Sequence, residues 1–217
     1  MVPELYDYQP VPRASRAALW LEWVVLFAVV PVIYVTLLES ERVAKYPFLG
    51  LAFIYAGAIW LRVHPKRTAP ARRTWKPFLI CFAATVPLAA GLVAMIDPNL
   101  FFGFPRHAPR MYAVYMVLYP FLSVWPQEFL YRRFYFWRYA AIFPSERERI
   151  WSSALAFCLL HAIYHNWIAV VLSLGGGWFF AREYARTGSL LVVWAEHSLL
   201  GQYLFTIGLG RFFYRPL

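Results

Sequence analysis

Long apolar runs, separated by short polar or basic stretches, dominate the pattern of hydrophobic positions along this chain. A helix rises 1.5 Å per residue, so about 20 apolar residues cross the ~30 Å hydrocarbon core of a bilayer. The pattern predicts an all-α fold, a polytopic bundle of seven transmembrane helices, or eight if residues 128–143 form a further short helix. The runs cover residues 18–38, 47–63, 77–96, a stretch beginning near Met111, 151–164, 166–181 and 188–208.

Composition supports a membrane protein and excludes an ordinary soluble domain. Of the 217 residues, 61% are hydrophobic and 15% are charged, and the mean hydropathy is +0.50. The formal net charge of +10 is compatible with nucleic-acid binding, but the basic residues lie between apolar runs, where membrane topology explains them. We therefore predict the lipid bilayer, and no nucleic acid, as a partner. Cys81 and Cys158 lie inside apolar runs and are predicted to be packing residues.

The basic residues also predict an orientation. Cytoplasmic loops carry an excess of Lys and Arg, and a seven-span arrangement with a cytoplasmic N-terminus places most of these residues on that side. The first run has no small-residue cleavage site and is predicted to be retained as an anchor. Residues 134–143 are aromatic and basic, so we expect the fourth helix to leave the bilayer there. The strongest basic stretch has no acidic residue and contains Arg62, Lys66, Arg67, Arg72, Arg73 and Lys76.

Ionisable side chains occur inside the fourth apolar helix, where they are expensive and therefore suggest function. Gln127, Glu128 and Arg132 follow one another in this helix. Glu128 and Arg132 are four residues apart, so they share a helix face and can form an ion pair. The alternative is a buried pair that only fixes helix packing.

Two later helices carry further polar groups. Phe157 and His161 are one helical turn apart, and His165 is expected one turn further along the same face. The last span carries Glu196 and His197. A lone intramembrane histidine more often packs against a carbonyl, which is the preferred interpretation of His165 by itself. A carboxylate, a guanidinium and two imidazoles that converge can activate water, shuttle a proton and stabilise an oxyanion.

Depth in the membrane tests this convergence. His161 and His197 are predicted near the midplane, and Glu128 nearer the cytoplasmic end of its helix. The resulting mismatch is on the order of 10 Å at 1.5 Å per residue, and a tilt or a kink at Pro126 can close it.

These residues resemble the CPBP intramembrane proteases, also called Abi or CAAX-protease-like, which are regarded as glutamic-type enzymes. The family motifs Glu-Glu-x-x-x-Arg, Phe-x-x-x-His and His-x-x-x-Asn/Asp look like residues 127–132, 157–161 and 197–201 here. The resemblance implies peptide-bond hydrolysis within the membrane by carboxylate-activated water, without cofactor, on a membrane-anchored or lipidated substrate such as a C-terminal sorting or CAAX-like segment.

The resemblance also implies a division of the chain. Residues 111–217 are expected to form the catalytic helix bundle, and residues 1–110 to supply an N-terminal tail and three accessory helices within the same membrane domain. The last span is similar to a bacterial branch that includes the myxosortase-like enzymes. A bacterial inner membrane is therefore the expected location.

Three positions depart from the family pattern. Gln127 replaces the first glutamate, and an amide cannot accept a proton at neutral pH. Either Glu128 takes the role of base or the protein is inactive. Arg133 replaces the usual glycine, and Gly201 replaces the Asn or Asp of the third motif, which removes an oxyanion donor. The groups considered as replacements for that donor are His165, Asn166 and Gln202.

Three functions follow from these residues. The first is an intramembrane endopeptidase with Glu128 as general base, its pKa balanced by burial and by Arg132. The second is an inactive scaffold or immunity protein of the same fold, which Gln127 and Gly201 favour. The third is a zinc protease with ligands His161, His165 and His197, because histidines four residues apart on a helix suit metal binding.

Overall fold

The structure, a computed structural model, describes residues 14–34, 36, 46–63, 65 and 75–213. This part of the chain is helical and contains no strand. Turns of 3-10 helix cover Pro98–Leu100, Ala162–Tyr164 and Leu209–Phe213. The α-helices are α1 (Arg16–Ile33), α2 (Tyr46–Val63), α3 (Lys76–Ile96), α4 (Gly103–His107), α5 (109–138), α6 (Glu146–His161), α7 (Trp167–Thr187) and α8 (Leu190–Ile207).

The predicted all-α membrane bundle is confirmed, since seven of these helices coincide with the seven apolar runs. Arg16–Ile33, Lys76–Ile96 and Leu190–Ile207 are long and apolar enough to cross a membrane, and Pro47–Val63 is a shorter apolar helix. The tail, the end of the first run and most of the basic stretch lie outside the described residues. They are residues 1–13, residues 37–38, Lys66, Arg67, Arg72 and Arg73.

Helix α5 is the central element and runs without interruption from residue 109 to residue 138. Pro120 and Pro126 lie inside it and donate no backbone hydrogen bond, so the normal α-helical ladder cannot continue through them. Wider π-helical turns at Pro120–Val124 and Phe129–Phe134 keep the helix continuous. The separate eighth helix considered for residues 128–143 is therefore absent, because residues up to Arg138 continue α5.

Helix α1 packs along the second half of α5. Phe27 is fully buried, and its ring contacts Tyr131 and Tyr135 with centroid distances of 5.3 and 5.4 Å. Glu22 accepts two hydrogen bonds from Arg138, at 2.9 and 2.6 Å, and one from the Tyr139 hydroxyl at 3.0 Å.

Residues 134–143, where we expected the fourth helix to leave the bilayer, are mostly buried inside the protein. Phe134, Tyr135, Phe136, Trp137 and Tyr139 are at most 3% exposed, because neighbouring helices cover them. The Glu22 carboxylate neutralises the charge that Arg138 brings into this packed region.

Helices α6 and α7 form an antiparallel pair. A Cβ atom added to Gly177 would lie 3.3 Å from the Ala154 backbone and 3.1 Å from the Phe157 ring. The glycine therefore lets the two backbones approach closely. Ser145 caps the start of α6 together with Glu148. This pairing fixes the helix that carries Phe157 and His161.

Candidate active site

Two of the polar residues predicted from separate helices are in direct contact. His197 Nδ1 on α8 lies 2.8 Å from Glu128 Oε1 on α5, and the two residues are 7% and 0% exposed. A carboxylate only accepts hydrogen bonds, so Nδ1–H is the donor and Nε2 of the neutral ring is an acceptor. The expected depth mismatch does not keep the two side chains apart, and π turns lie on both sides of the Trp125–Glu128 segment.

Arg132 forms the predicted ion pair with Glu128, with Nε 3.2 Å from Oε2 and both side chains fully buried. Its Nη1 donates to the Ser153 hydroxyl at 2.7 Å, and that hydroxyl donates to the Tyr131 carbonyl at 2.7 Å. The guanidinium carbon also lies 5.1 Å from the centroid of the Phe157 ring. These contacts hold a positive charge beside the buried carboxylate.

Aromatic rings fix the plane of the His197 imidazole. Phe180 stacks on it at 4.7 Å between centroids and 17° between planes. Phe157 and Tyr119 meet it edge-on, at 5.6 and 6.3 Å. With Nδ1 held by Glu128, the ring is fixed in both position and orientation.

His197 forms part of the wall of a cavity of about 450 Å³. Most of the wall is apolar, and His161, Phe157, Tyr119 and Gly201 also line it. Its volume lies within the range of about 300 to 1,000 Å³ that is usual for small-ligand sites. Glu128 and Arg132 do not line it, so His197 is the member of this cluster that faces the cavity.

His161 and Gln127 share a second, smaller cavity of about 90 Å³, which Ser123 also lines. His161 Nδ1 donates to the Phe157 carbonyl at 2.8 Å, and His161 borders both cavities. Gln127 Nε2 donates to the Ser123 hydroxyl at 2.9 Å. Its Oε1 is buried without a hydrogen-bond partner among the described residues.

The prediction that His165 continues the Phe157–His161 face is wrong. Helix α6 ends at His161, and His165 follows a 3-10 turn with a positive φ of 53°. The next helix causes this break, because Asn166 caps α7 by accepting the Ala169 N–H at 2.8 Å. His165 is consequently exposed and borders neither cavity described above.

The other proposed supporting residues have separate places. Asn166 Nδ2 donates to the carbonyls of Tyr164 and Phe212, and Gln202 Nε2 donates to Met116. Both amides are therefore engaged away from His197. Glu196 is fully buried, and neither of its oxygens has a hydrogen-bond partner within the described ranges.

The described residues include no group of three or more His, Cys, Asp or Glu side chains that could hold a metal ion. The zinc hypothesis required His165 beside His161 and His197, and the end of α6 separates His165 from that position. The arrangement that is present instead is a carboxylate–imidazole pair. Such a pair can activate water or a substrate hydroxyl through the imidazole.

Several residues of the site were not predicted. Ser153 precedes Phe157 by four residues, and Ser123 precedes Gln127 by four, so helical spacing was a usable signal for both. Phe180 and Tyr119 come from other helices and carry no local signal that distinguishes them from the many aromatic residues of the chain.

The described residues thus form a helical bundle with a buried carboxylate–imidazole pair beside an apolar cavity. Residues 109–201 match the family model described as Type II CAAX prenyl endopeptidase Rce1-like. This match confirms the resemblance to the CAAX-protease family, whereas the myxosortase-like branch stays a prediction. No curated protein and no solved structure matches the chain.

Proposed function

We propose that the protein is an intramembrane endopeptidase in which Glu128 orients His197 and His197 activates water. The observation that carries this proposal is the 2.8 Å contact between Glu128 Oε1 and His197 Nδ1 at the wall of the 450 Å³ cavity. The similarity of residues 109–201 to a CAAX-type endopeptidase family supports hydrolysis as the reaction.

The chemistry follows from which group faces the cavity. Both oxygens of Glu128 are buried against His197 and Arg132, so the carboxylate is poorly placed to take a proton from water in the cavity. His197 Nε2 takes that proton while the water oxygen attacks the substrate carbonyl. The tetrahedral intermediate then breaks its C–N bond, and the proton on Nε2 passes to the leaving amine. Water is consumed and the imidazole is regenerated.

Arg132 and His161 support this step in different ways. Arg132 pairs with Glu128, and the Glu128 carboxylate stabilises the imidazolium that forms on His197. The Nδ1–H of His161 is held by a backbone carbonyl, so its Nε2 is an acceptor when the ring is neutral. We assign His161 the role of a second acceptor for the attacking water.

The substrate is a membrane-anchored protein segment with an apolar or lipid-modified end. The wall of the cavity is mainly apolar, which suits a prenyl or acyl chain or apolar residues near the cleaved bond. The description of the matched family names a prenyl endopeptidase, which favours a CAAX-like C-terminal segment. A C-terminal sorting signal is the alternative substrate of the same chemistry.

The proposal includes the arrangement in the membrane. Residues 111–217 form the catalytic bundle, and residues 1–110 are accessory. The N-terminus lies on the cytoplasmic side of a bacterial inner membrane, in accordance with the distribution of Lys and Arg. Reporter fusions at both termini and in the 62–76 stretch test this orientation.

Cleavage of co-expressed reporters with membrane-anchored, CAAX-like and sorting-signal C-termini tests the proposal. We expect products from the wild type that disappear in Glu128→Gln and His197→Ala at equal membrane abundance. His107→Ala is the matched control for His197→Ala, because His107 also has a hydrogen-bonded Nδ1 but is exposed on α4 and borders neither cavity. Zinc chelators should leave the activity unchanged. Inhibition of the protein by a chelator would support the zinc hypothesis instead.

A non-catalytic binding protein is the second candidate. Gln127 favours it, because an amide bonded to Ser123 occupies the position of the first family glutamate. A binding protein would retain a lipidated peptide in the 450 Å³ cavity and cleave no reporter. Peptide binding that is unchanged in Glu128→Gln, together with an inactive wild type, would support this function.

A further inference from the structure

Gly201 provides space in the wall of the larger cavity, and the Tyr119 ring fills it. Gly201 lies one turn beyond His197 on α8, so a side chain there would project along the same face of the helix. A Cβ atom at Gly201 would overlap the Tyr119 hydroxyl and lie 2.7 Å from two carbons of its ring. Only glycine at this position allows the phenol to lie against α8.

Tyr119 lies beside His197, the proposed base. Tyr119 lines the cavity together with His197, and its ring meets the imidazole edge-on with 6.3 Å between centroids. A hydroxyl is both a donor and an acceptor, and it is neutral at physiological pH. It therefore brings a hydrogen-bond donor to an apolar wall without a buried charge.

The surrounding contacts hold Tyr119 in position. Its ring stacks on Tyr115 at 5.0 Å and contacts Phe205 at 5.9 Å. The next residue, Pro120, accepts a hydrogen bond from Trp194 Nε1 at 2.6 Å, which ties α5 to α8 beside the tyrosine. A donor fixed in this way needs no reorganisation during a reaction.

We propose that the Tyr119 hydroxyl is the oxyanion donor of this protein and replaces a side-chain donor at position 201. The inference rests on the proposed peptidase function. As water adds to the substrate carbonyl, the carbonyl oxygen gains negative charge, and the Tyr119 O–H donates a hydrogen bond to it. No proton is transferred from the phenol, and the bond is released when the C–N bond breaks.

Removal of one such donor typically lowers kcat by about 10²- to 10³-fold. We expect Tyr119→Phe to lower kcat on the cleaved reporter by about this amount with KM changed little, because the ring and its packing are retained. Tyr112→Phe is the matched control, since it also removes a hydroxyl of α5, one that bonds to Thr206 and does not line the cavity. The control should keep kcat within about twofold of the wild type.

A compensating pair separates donation from packing. Tyr119→Ala empties the space beside Gly201, so Tyr119→Ala/Gly201→Asn can place an amide donor near the same position. We expect Tyr119→Ala to be nearly inactive and the double variant to regain at least tenfold in kcat, on the order of one hydrogen bond to a charged group. Rescue by the amide is not expected if Tyr119 only fills space.

The outcomes distinguish this inference from the function on which it rests. A wild type that cleaves none of the reporters overturns both. An active wild type with Tyr119→Phe unchanged in kcat overturns the oxyanion role alone and leaves the Glu128–His197 mechanism intact. Equal membrane abundance of the variants, with loss in Tyr119→Phe and rescue in the double variant, supports the role.

Discussion

Helix α5 carries two buried arginines, each paired with a glutamate, and the two carboxylates differ in what else they contact. In the anchor pair, Glu22 with Arg138, the guanidinium binds both carboxylate oxygens in a bidentate ion pair, with hydrogen bonds of 2.9 and 2.6 Å. The site pair, Glu128 with Arg132, has a single ion contact of 3.2 Å, and Glu128 also accepts from His197. The Glu22 carboxylate contacts groups that line neither described cavity, whereas the Glu128 carboxylate acts on an imidazole at a cavity wall.

This difference explains why burial of a charge pair alone does not identify a catalytic site. Both arginines lie on one helix, both are at most 8% exposed, and both neutralise a glutamate. Only the site pair connects its carboxylate to a titratable group beside space for a substrate. We therefore interpret the anchor pair as structural and the site pair as functional.

The largest expected difference between the two pairs is in activity. Glu128→Gln should lower kcat by about 10³- to 10⁴-fold, because an amide neither fixes the His197 tautomer nor stabilises the imidazolium. Glu22→Gln should leave kcat of the folded protein within about threefold, since its site is remote from the cavity. Initial rates on the same reporter, normalised to folded protein, measure both. A similar loss in the two variants would remove the distinction.

The second difference concerns stability against activity. Arg132→Ala leaves Glu128 buried without its cation and should lower the free energy of unfolding by about 3 to 5 kcal/mol, with loss of activity. Arg138→Ala should cost less, because Glu22 is only partly buried, and the remaining folded protein should keep its kcat. Thermal unfolding in detergent measures the change in stability of both variants. An active Arg132→Ala protein would contradict the assigned role of the site pair.

Gln127→Glu adds a second carboxylate next to the site pair on α5. The new group would face the small cavity that His161 also borders, where a second base can assist the attacking water. We expect kcat to rise on the order of tenfold, at the low end of what general base catalysis contributes. Ser123→Ala in the same background tests whether release of the hydroxyl contact changes the gain. A fall in kcat would show that the native amide is required.

His165→Ala should have the smallest effect. The residue is exposed after the end of α6, so we expect kcat to stay near wild type and the free energy of unfolding to change by less than about 0.5 kcal/mol. His161→Ala, measured in parallel, should lower activity strongly. A comparable loss in both variants would return His165 to the site.

Much of the fold followed from the pattern of apolar runs, because crossing a bilayer requires helices of a fixed length. The Glu128–Arg132 pair followed from helical spacing, which acts over four residues. The contact between Glu128 and His197 joins residues 69 positions apart, and the π turns of α5 were not predicted. The anchor pair spans 116 positions, and Glu22 gave no signal of its own.

The end of α6 shows the other limit of sequence reasoning. Spacing placed His161 and His165 on one face, but this holds only while the helix continues. Asn is a favoured N-cap residue, and the Asn166 side chain accepts the Ala169 N–H at the start of α7. Because α7 begins there, α6 has to end before it. Likewise, Gly201 was interpreted as a lost donor, whereas the structure shows that its missing side chain makes room for Tyr119.

A double-mutant cycle on Glu128 and His197 tests the central claim most directly. Rates of Glu128→Gln, His197→Ala and the double variant would be compared on one reporter at equal abundance of folded protein. If the carboxylate acts only through the imidazole, the double variant has the same residual rate as His197→Ala alone. If the two losses multiply, Glu128 acts independently of His197, and the orienting role proposed for it is wrong.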